Sequence, residues 1–287
     1  MSEPSTHNIS EWYGLKFDSL STAERKRLAS ISSPNSQDCP FSDGPCNKKG
    51  GVCSIRAYSW DAAGICQTAG KPCATCPRRL QQNGIIAEWV GSVILDSKSP
   101  SVVSEVPFLT GRNHKGEDTG KSVGKIDMVL LDKRPGLLKW CAVEIQAVYF
   151  SGDEMGKEFK HLKTCNVEGI PIPQGKRRPD FRSSGPKRLM PQLQTKVPTL
   201  SRWGHKMAVI IDQSFWESLA PMDQVPEISN CDIAWFVLDF EEQKDSFTLK
   251  RGEVHYTTLN RAIEGLTAGK PVALSEFENQ LAAKVKK

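Results

Sequence analysis

The 287-residue chain has no apolar run long enough to cross a bilayer. Its longest apolar stretches, such as Ile233 to Leu238, are strand-sized, well short of the ~18–20 residues of a membrane helix. A strong net charge is also missing. The 38 Lys and Arg against 33 Asp and Glu leave +5, an excess that allows an anionic partner without demanding one. The opening residues, MSEPSTHNIS, carry no basic segment followed by an apolar one, so they point away from secretion and toward the cytoplasm. No internal repeat is visible. With 38% hydrophobic and 25% charged residues the composition is globular, which excludes a disordered tail. What the chain does have is cysteine: nine in all, six of them between Cys39 and Cys76.

The six are Cys39, Cys46, Cys53, Cys66, Cys73 and Cys76, while Cys141, Cys165 and Cys231 are scattered. A reducing cytosol disfavours disulfides, so a local cluster reads better as a tetrahedral thiolate site for zinc or iron. The spacing C-x6-C-x6-C-x12-C-x6-C-x2-C fits no common zinc finger, and only Cys73 and Cys76 form a CxxC. The surrounding PFSDGP, NKKGG and TAGKP are turn-rich, as expected where a metal substitutes for a core.

Along the chain, Ser21 or Thr22 caps an expected helix over AERKRLASI, and Pro77 opens another over RRLQQNGIIAEWVGSVIL. Strand patterns follow in VVSEVPFL, GKIDMVLLD and LLKWCAVEIQAVYF, then a short helix over 154–163. The segment 166–184 is irregular and rich in Pro, Gly, Lys and Arg, and a loop of that length is usually functional. A helix around RLMPQLQTK is expected with Pro191 in its first turn. Buried strands at 207–212 and 232–240, a polar hairpin and two terminal helices complete the pattern. The whole reads as one α/β fold with a cysteine-rich N-terminal attachment: residues 1–80 as helix plus metal-binding region, 81–287 as the main domain.

The segment Gly124 to Phe150 holds the sharpest signal. Alternation puts Asp127, Val129 and Leu131 on one face of the first strand, and Glu144, Gln146 and Val148 on one face of the second. If Arg134 pairs with Leu137 across Pro135-Gly136, Asp127 lies directly opposite Glu144, about 4.5–5.5 Å apart at Cβ. A four-residue loop from Lys133 to Gly136 makes the two diagonal instead, at about 7–8 Å. Opposed carboxylates repel unless one is protonated or a divalent cation lies between them. Oxygen donors of this kind suit Mg2+. The bland alternative is that both face solvent or pair with Lys or Arg.

A D…E-x-Q arrangement on a hairpin resembles the PD-(D/E)xK nuclease core, with Gln146 where lysine is usual. The chain further resembles NotI-type type II restriction endonucleases. The matching pieces are CPF…C…GVCSIRAYSW…ATCPRRL at 39–80, GKIDMVL at 124–130, VEIQAVYFSG at 143–152, and DFRSSGPKRLMPQLQTK…RWGHKMAVIID at 180–212. The resemblance implies a mixed central β-sheet flanked by helices. It also implies a prokaryotic homodimer that cuts GC-rich palindromic double-stranded DNA with Mg2+ and carries iron in a four-cysteine site. By motif position Asp127 and Glu144 would hold Mg2+, Gln146 would lie near the attacking water, and Glu105 would complete the metal shell. Cys39, Cys46, Cys53 and Cys76 would hold the structural iron, because each sits in a matching block; spacing alone does not separate iron from zinc.

Residues 154–206 carry 12 Lys and Arg against four acids, a net +8 that leaves −3 for the rest. This is the electrostatic footprint of a phosphate-binding surface. Guanine is best read by Arg and cytosine N4 by an acid, so Arg177, Arg178, Asp180, Arg182 and Arg188 are candidate base readers. Ser183, Ser184 and Lys187 would lie on phosphates. Two other readings compete: a non-catalytic zinc-containing nucleic-acid-binding protein, and a repair or recombination nuclease without sequence specificity. The first leaves the Asp127/Glu144 pair unexplained.

Overall fold

The structure, a computed structural model, describes residues 5–31, 36–134, 136–267 and 272–285. The N-terminal part is built on a four-stranded antiparallel sheet of β1 (Ser5–Trp12), β2 (Leu15–Lys16), β3 (Val52–Trp60) and β4 (Cys66–Ala74), in the order β2-β1-β3-β4. Sequence reading found only turns between Cys39 and Cys76. β3 is hidden there because VCSIRAYSW is buried along most of its length and lacks a clean two-residue alternation. The helix α1 (Thr22–Ala29) starts where expected: Ser21 and Glu24 form a reciprocal capping box.

After the helical turns of 77–84 and the short helix α2 (Ile85–Val90) comes the main sheet. Its strands are β5 (Ser101–Arg112), β6 (Asp118–Arg134), β7 (Leu137–Ile145), then β10 (Met207–Asp212), β11 (Ile233–Glu242) and β12 (Phe247–Thr257). A two-stranded ribbon, β8 (Tyr149–Gly152) with β9 (Arg177–Asp180), lies between them in sequence. It gives structure to part of the expected 166–184 loop. The main sheet runs β12-β11-β10-β7-β6-β5, with β7, β10 and β11 parallel and antiparallel strands at both edges. Flanking helices are α3 (Met155–Thr164), α4 (Phe181–Ser184), α5 (Met190–Arg202), α6 (Gln213–Glu217) and α7 (Leu259–Thr267); α8 (Leu274–Val285) has every residue exposed. Pro191 is the second residue of α5, which continues directly from the helical turn of 185–189.

Alternation along the buried strands divides the apolar side chains into two layers. One layer joins Ala142, Val209, Ile211, Trp235 and Val237 to Leu193, Val197 and Leu200 of α5. The other joins Val143, Ile145, Ala208, Ile210 and Phe236 to Ile86, Trp89 and Val90 of α2. Ile9 and Ile55 of the N-terminal sheet belong to the first layer, so residues 1–80 do not keep a core to themselves. A buried ion pair reinforces this union: Arg79 Nε lies 2.7 Å from Glu11 Oε2, and its Nη2 donates to the Phe247 carbonyl at 3.0 Å.

In the β6–β7 hairpin Arg134 pairs with Leu137 and Met128 with Val143, the direct register of the two sequence alternatives. The turn is therefore two residues long. Pro135 lies outside the described residues; Gly136 takes φ +74, a left-handed value that favours glycine. The β6–β7 ladder ends at Met128 and Val143. Beyond it β7 stays with β10, the Gln146 N–H donating to the Ile210 carbonyl at 2.9 Å. The sheet thus splits at Asp127 and Glu144.

Candidate active site

Asp127 occupies the first position past the end of the ladder. Its Oδ2 accepts the Ile145 N–H at 2.9 Å, replacing the strand partner that β6 no longer supplies. Glu144, buried at 5% exposure, points to the α5 side of β7. There its Oε1 accepts a hydrogen bond from Lys196 Nζ, itself 2% exposed. Burial pushes the Glu144 carboxyl up to about 7, and the Asp127 charge pushes the same way. Lys196 and the Asp127 backbone N–H oppose them. The two carboxylates are therefore close enough to repel, as the direct register requires.

Both carboxylates line one cleft of about 270 Å3, together with Lys48, Gln146, Tyr149, Arg188 and Gln192. A second hollow, about 560 Å3, shares Asp127, Lys48 and Ile145 with it and extends to Glu105 and Cys76. Gln146 is turned toward the backbone, Nε2 donating to the Ala147 carbonyl at 2.5 Å. Glu105 is exposed and paired with Lys125 at 2.9 Å, with φ +53; it lines the adjoining hollow rather than the cleft that holds Glu144.

The basic segment separates into surface and interior. Arg178, Arg182, Lys187 and Arg188 are exposed, and the Arg188 guanidinium stacks 3.7 Å over the Tyr149 ring at the mouth of the cleft. Arg177 is a correction to the expected base readers. It is buried, its Nη1 lies 3.2 Å from Glu158 Oε2, and the Asp153 and Glu154 carbonyls take its other donors. Ser184 is likewise internal: its Oγ donates to the Asp180 carbonyl at 2.8 Å and accepts the Tyr149 N–H at 2.9 Å. Asp180 caps α4 by accepting the Ser183 N–H at 3.0 Å, so these three residues shape the loop beside Tyr149. Placing charge on a pattern could not show that one arginine had an internal partner.

Lys196 is the residue that sequence reading passed over, seen only as one of 12 cations. The available signal is its spacing: Leu193, Lys196, Val197 and Leu200 share one face of α5, so a lysine stands in an apolar stripe.

Among the described residues no three His, Cys, Asp or Glu side chains are grouped as a metal site. The expected four-cysteine centre is thus not shown as a formed ligand shell. Some of its members nevertheless feel one another's charge. Burial pushes the Cys46 thiol up, with Cys39 and Cys76 adding to it, and burial drives Cys53 well up, with Cys76 again contributing. Cys39 goes the other way: hydrogen bonds from Ser42, the Phe41 N–H and Arg78 outweigh burial and lower its pKa. Cys73 belongs elsewhere, against Asp212, and Cys66 lies toward Glu158.

The family model of restriction endonuclease NotI matches residues 23–251, most of the chain. The chain belongs to the NotI restriction endonuclease family. It is accordingly a site-specific type II deoxyribonuclease, a hydrolase of a restriction system that binds double-stranded DNA. The match takes in β3, β4 and the split hairpin, so the NotI family relationship covers the cysteine-rich segment and the cleft together. No curated protein shows a significant match to the chain. No helix among the described residues is long and apolar enough to cross a membrane.

Proposed function

We propose that this NotI-family enzyme makes Mg2+-dependent double-strand cuts in a GC-rich palindrome, acting as a homodimer, with the chemistry centred on Asp127 and Glu144. The observation that carries the proposal is the split of the β6–β7 ladder, which puts both carboxylates on one cleft beside exposed arginines. The donor set fits Mg2+: hard oxygen ligands, only two of them carboxylates, so most of the shell falls to water and to the substrate phosphate. A bound Mg2+ would lower the pKa of a water and offset charge on the attacked phosphate. Asp127 is fixed for ligation by the Ile145 N–H and Glu144 by Lys196. Gln146 is neutral and lines the same cleft, suited to orient a water by hydrogen bonding rather than to take its proton. Arg178, Arg182, Lys187 and Arg188 would face the duplex, with Asp180 and Ser183 shaping the loop that carries them.

The test is digestion of a GC-rich plasmid with Mg2+ and sequencing of the ends. One palindromic sequence at every end is expected; random ends would favour the repair or recombination reading and overturn this one. Asp127→Asn and Glu144→Gln should each lower cleavage at least about 100-fold while DNA binding in Ca2+ persists. Undiminished cleavage by both would remove the catalytic assignment.

An iron or zinc held by Cys39, Cys46, Cys53 and Cys76 is a separate part of the proposal. It is supported by the family resemblance and by the mutual influence of Cys46 with Cys39 and Cys76 and of Cys53 with Cys76, not by a gathered ligand shell. Its role would be structural, with no step of cleavage passing through it. Elemental analysis after treatment with a mild chelator should find about one iron or zinc per chain; folded protein free of both metals would exclude the site.

A further inference from the structure

Lys196 is a buried cation whose ammonium is bonded to Glu144 Oε1. It reaches that oxygen from α5, an element outside the hairpin that supplies Asp127, Glu144 and Gln146. It lines the hollow between α5 and the β5–β6 hairpin, along with Gln192, Thr195 and Lys125, and not the cleft on which Glu144 opens. Its place is therefore behind the carboxylate.

A carboxylate has two oxygens and can grip a divalent cation through one or both. Mg2+ is small, prefers six ligands near 2.0–2.1 Å, and keeps several waters. Every position taken by a second protein oxygen is lost to a water or a phosphate oxygen. With an ammonium on Oε1, Glu144 has its other oxygen to offer a cation, on the cleft that the residue lines and near the Asp127 N–H. Gln146 cannot do this job, because its amide is turned to the Ala147 carbonyl.

We propose that Lys196 is a positioning residue that restricts Glu144 to one-oxygen ligation, keeping coordination positions open for the attacking water and the scissile phosphate. The inference rests on the reading of Asp127 and Glu144 as the metal carboxylates. Lys196 does not touch the DNA; it acts through Glu144. Its ammonium repels an incoming cation but also helps keep Glu144 ionised, so the repulsion is read where Glu144 is ionised with or without Lys196.

The full-length protein with Lys196→Met or Lys196→Gln tests this. Calcium binding is measured by calorimetry without DNA over a range of alkaline pH and compared on the plateau where Glu144 is ionised in every variant, and kcat and KM are measured with Mg2+ on a plasmid substrate at the same pH. The expected result is opposite movement: at least tenfold tighter Ca2+ binding, at least tenfold lower kcat, and KM changed less than threefold. Lys196→Arg, which keeps both charge and donors, should bring kcat and Ca2+ affinity back toward wild type. Looser Ca2+ binding together with slower cleavage would mark Lys196 as a merely structural support and overturn the proposal. So would unchanged values of both, in either the Met or the Gln variant. Asp127→Asn and Glu144→Gln run alongside separate the two readings. If they retain cleavage, the metal-carboxylate assignment fails; if they lose it while the Lys196 variants behave as wild type, only the role of Lys196 fails.

Discussion

Asp212 shows how a single side chain sets a pH response away from the cleft. It ends β10 and caps α6, its two oxygens accepting the Ala74 N–H at 2.6 Å and the Phe215 N–H at 2.8 Å. Burial nevertheless dominates and pushes its carboxyl up to about 6 from an ordinary 3.8. A group that binds its proton more tightly when folded stabilises the fold most below its unfolded pKa. That contribution is lost as pH rises through the folded value. The loss amounts to about 3 kcal/mol between pH 4 and pH 7, at ~1.4 kcal/mol per unit. In urea melts, wild type should therefore lose stability relative to Asp212→Asn as pH rises across that window; a gain would reverse the sign and refute the account. Residues of this kind were not legible in the sequence. An Asp after MAVII reads as a strand end, and Lys196 reads as surface charge, because burial is a property of neighbours that the local pattern does not name. Asp127 and Glu144 were legible because period-two alternation and one turn keep them on one face of a hairpin in either register.

Among the elements, those with local signatures were readable and those made by distant partners were not. A serine or threonine cap at Ser21 or Thr22 placed α1, and Ser21→Ala should cost about 1 kcal/mol in a thermal melt, since the Glu24 N–H loses its acceptor while Glu24 Oε2 keeps the residue-21 N–H. Pro135-Gly136 left a direct and a diagonal β6–β7 register open, and the structure takes the direct one although a Pro-Gly pair is not the usual two-residue hairpin turn. A methyl group added at Gly136 would meet nothing within 4 Å, so Gly136→Ala should cost only its backbone strain, about 1 kcal/mol. A larger loss, read from the same melts, would mean that the turn carries contacts of its own. By contrast β1 and β3 escaped notice. Their strands depend on pairing with each other across 40 residues, and the polar Asn8, Ser10, Glu11, Ser54 and Arg56 that they bury disguise the pattern. The basic β8–β9 ribbon escaped for the same reason: Arg177 is inside because Glu158 on α3 waits for it.

At the scale of the whole molecule, the mild +5 conceals a segregated charge. The exposed cations of 178–188 gather beside the cleft, so DNA binding should weaken steeply with salt. Lys187→Ala should reduce the slope of log affinity against log salt by about 1 and weaken all sequences alike. Arg188→Ala, which removes the guanidinium stacked on Tyr149, should instead cost about 1–3 kcal/mol on the cognate site and less on other DNA. Filter binding at several salt concentrations separates these outcomes. The family and its α/β architecture were readable from ordered motif blocks, yet the merging of residues 1–80 into the main apolar layer was not.

Arg79 has one partner near the start of the chain and another near its end, Glu11 and the Phe247 carbonyl. Lys16 repeats the arrangement with Glu242 at 2.7 Å. A chain emerging from the ribosome carries Arg79 and Lys16 long before residues 242 and 247 exist, so these two cations wait for their last partners through the translation of every cleft residue.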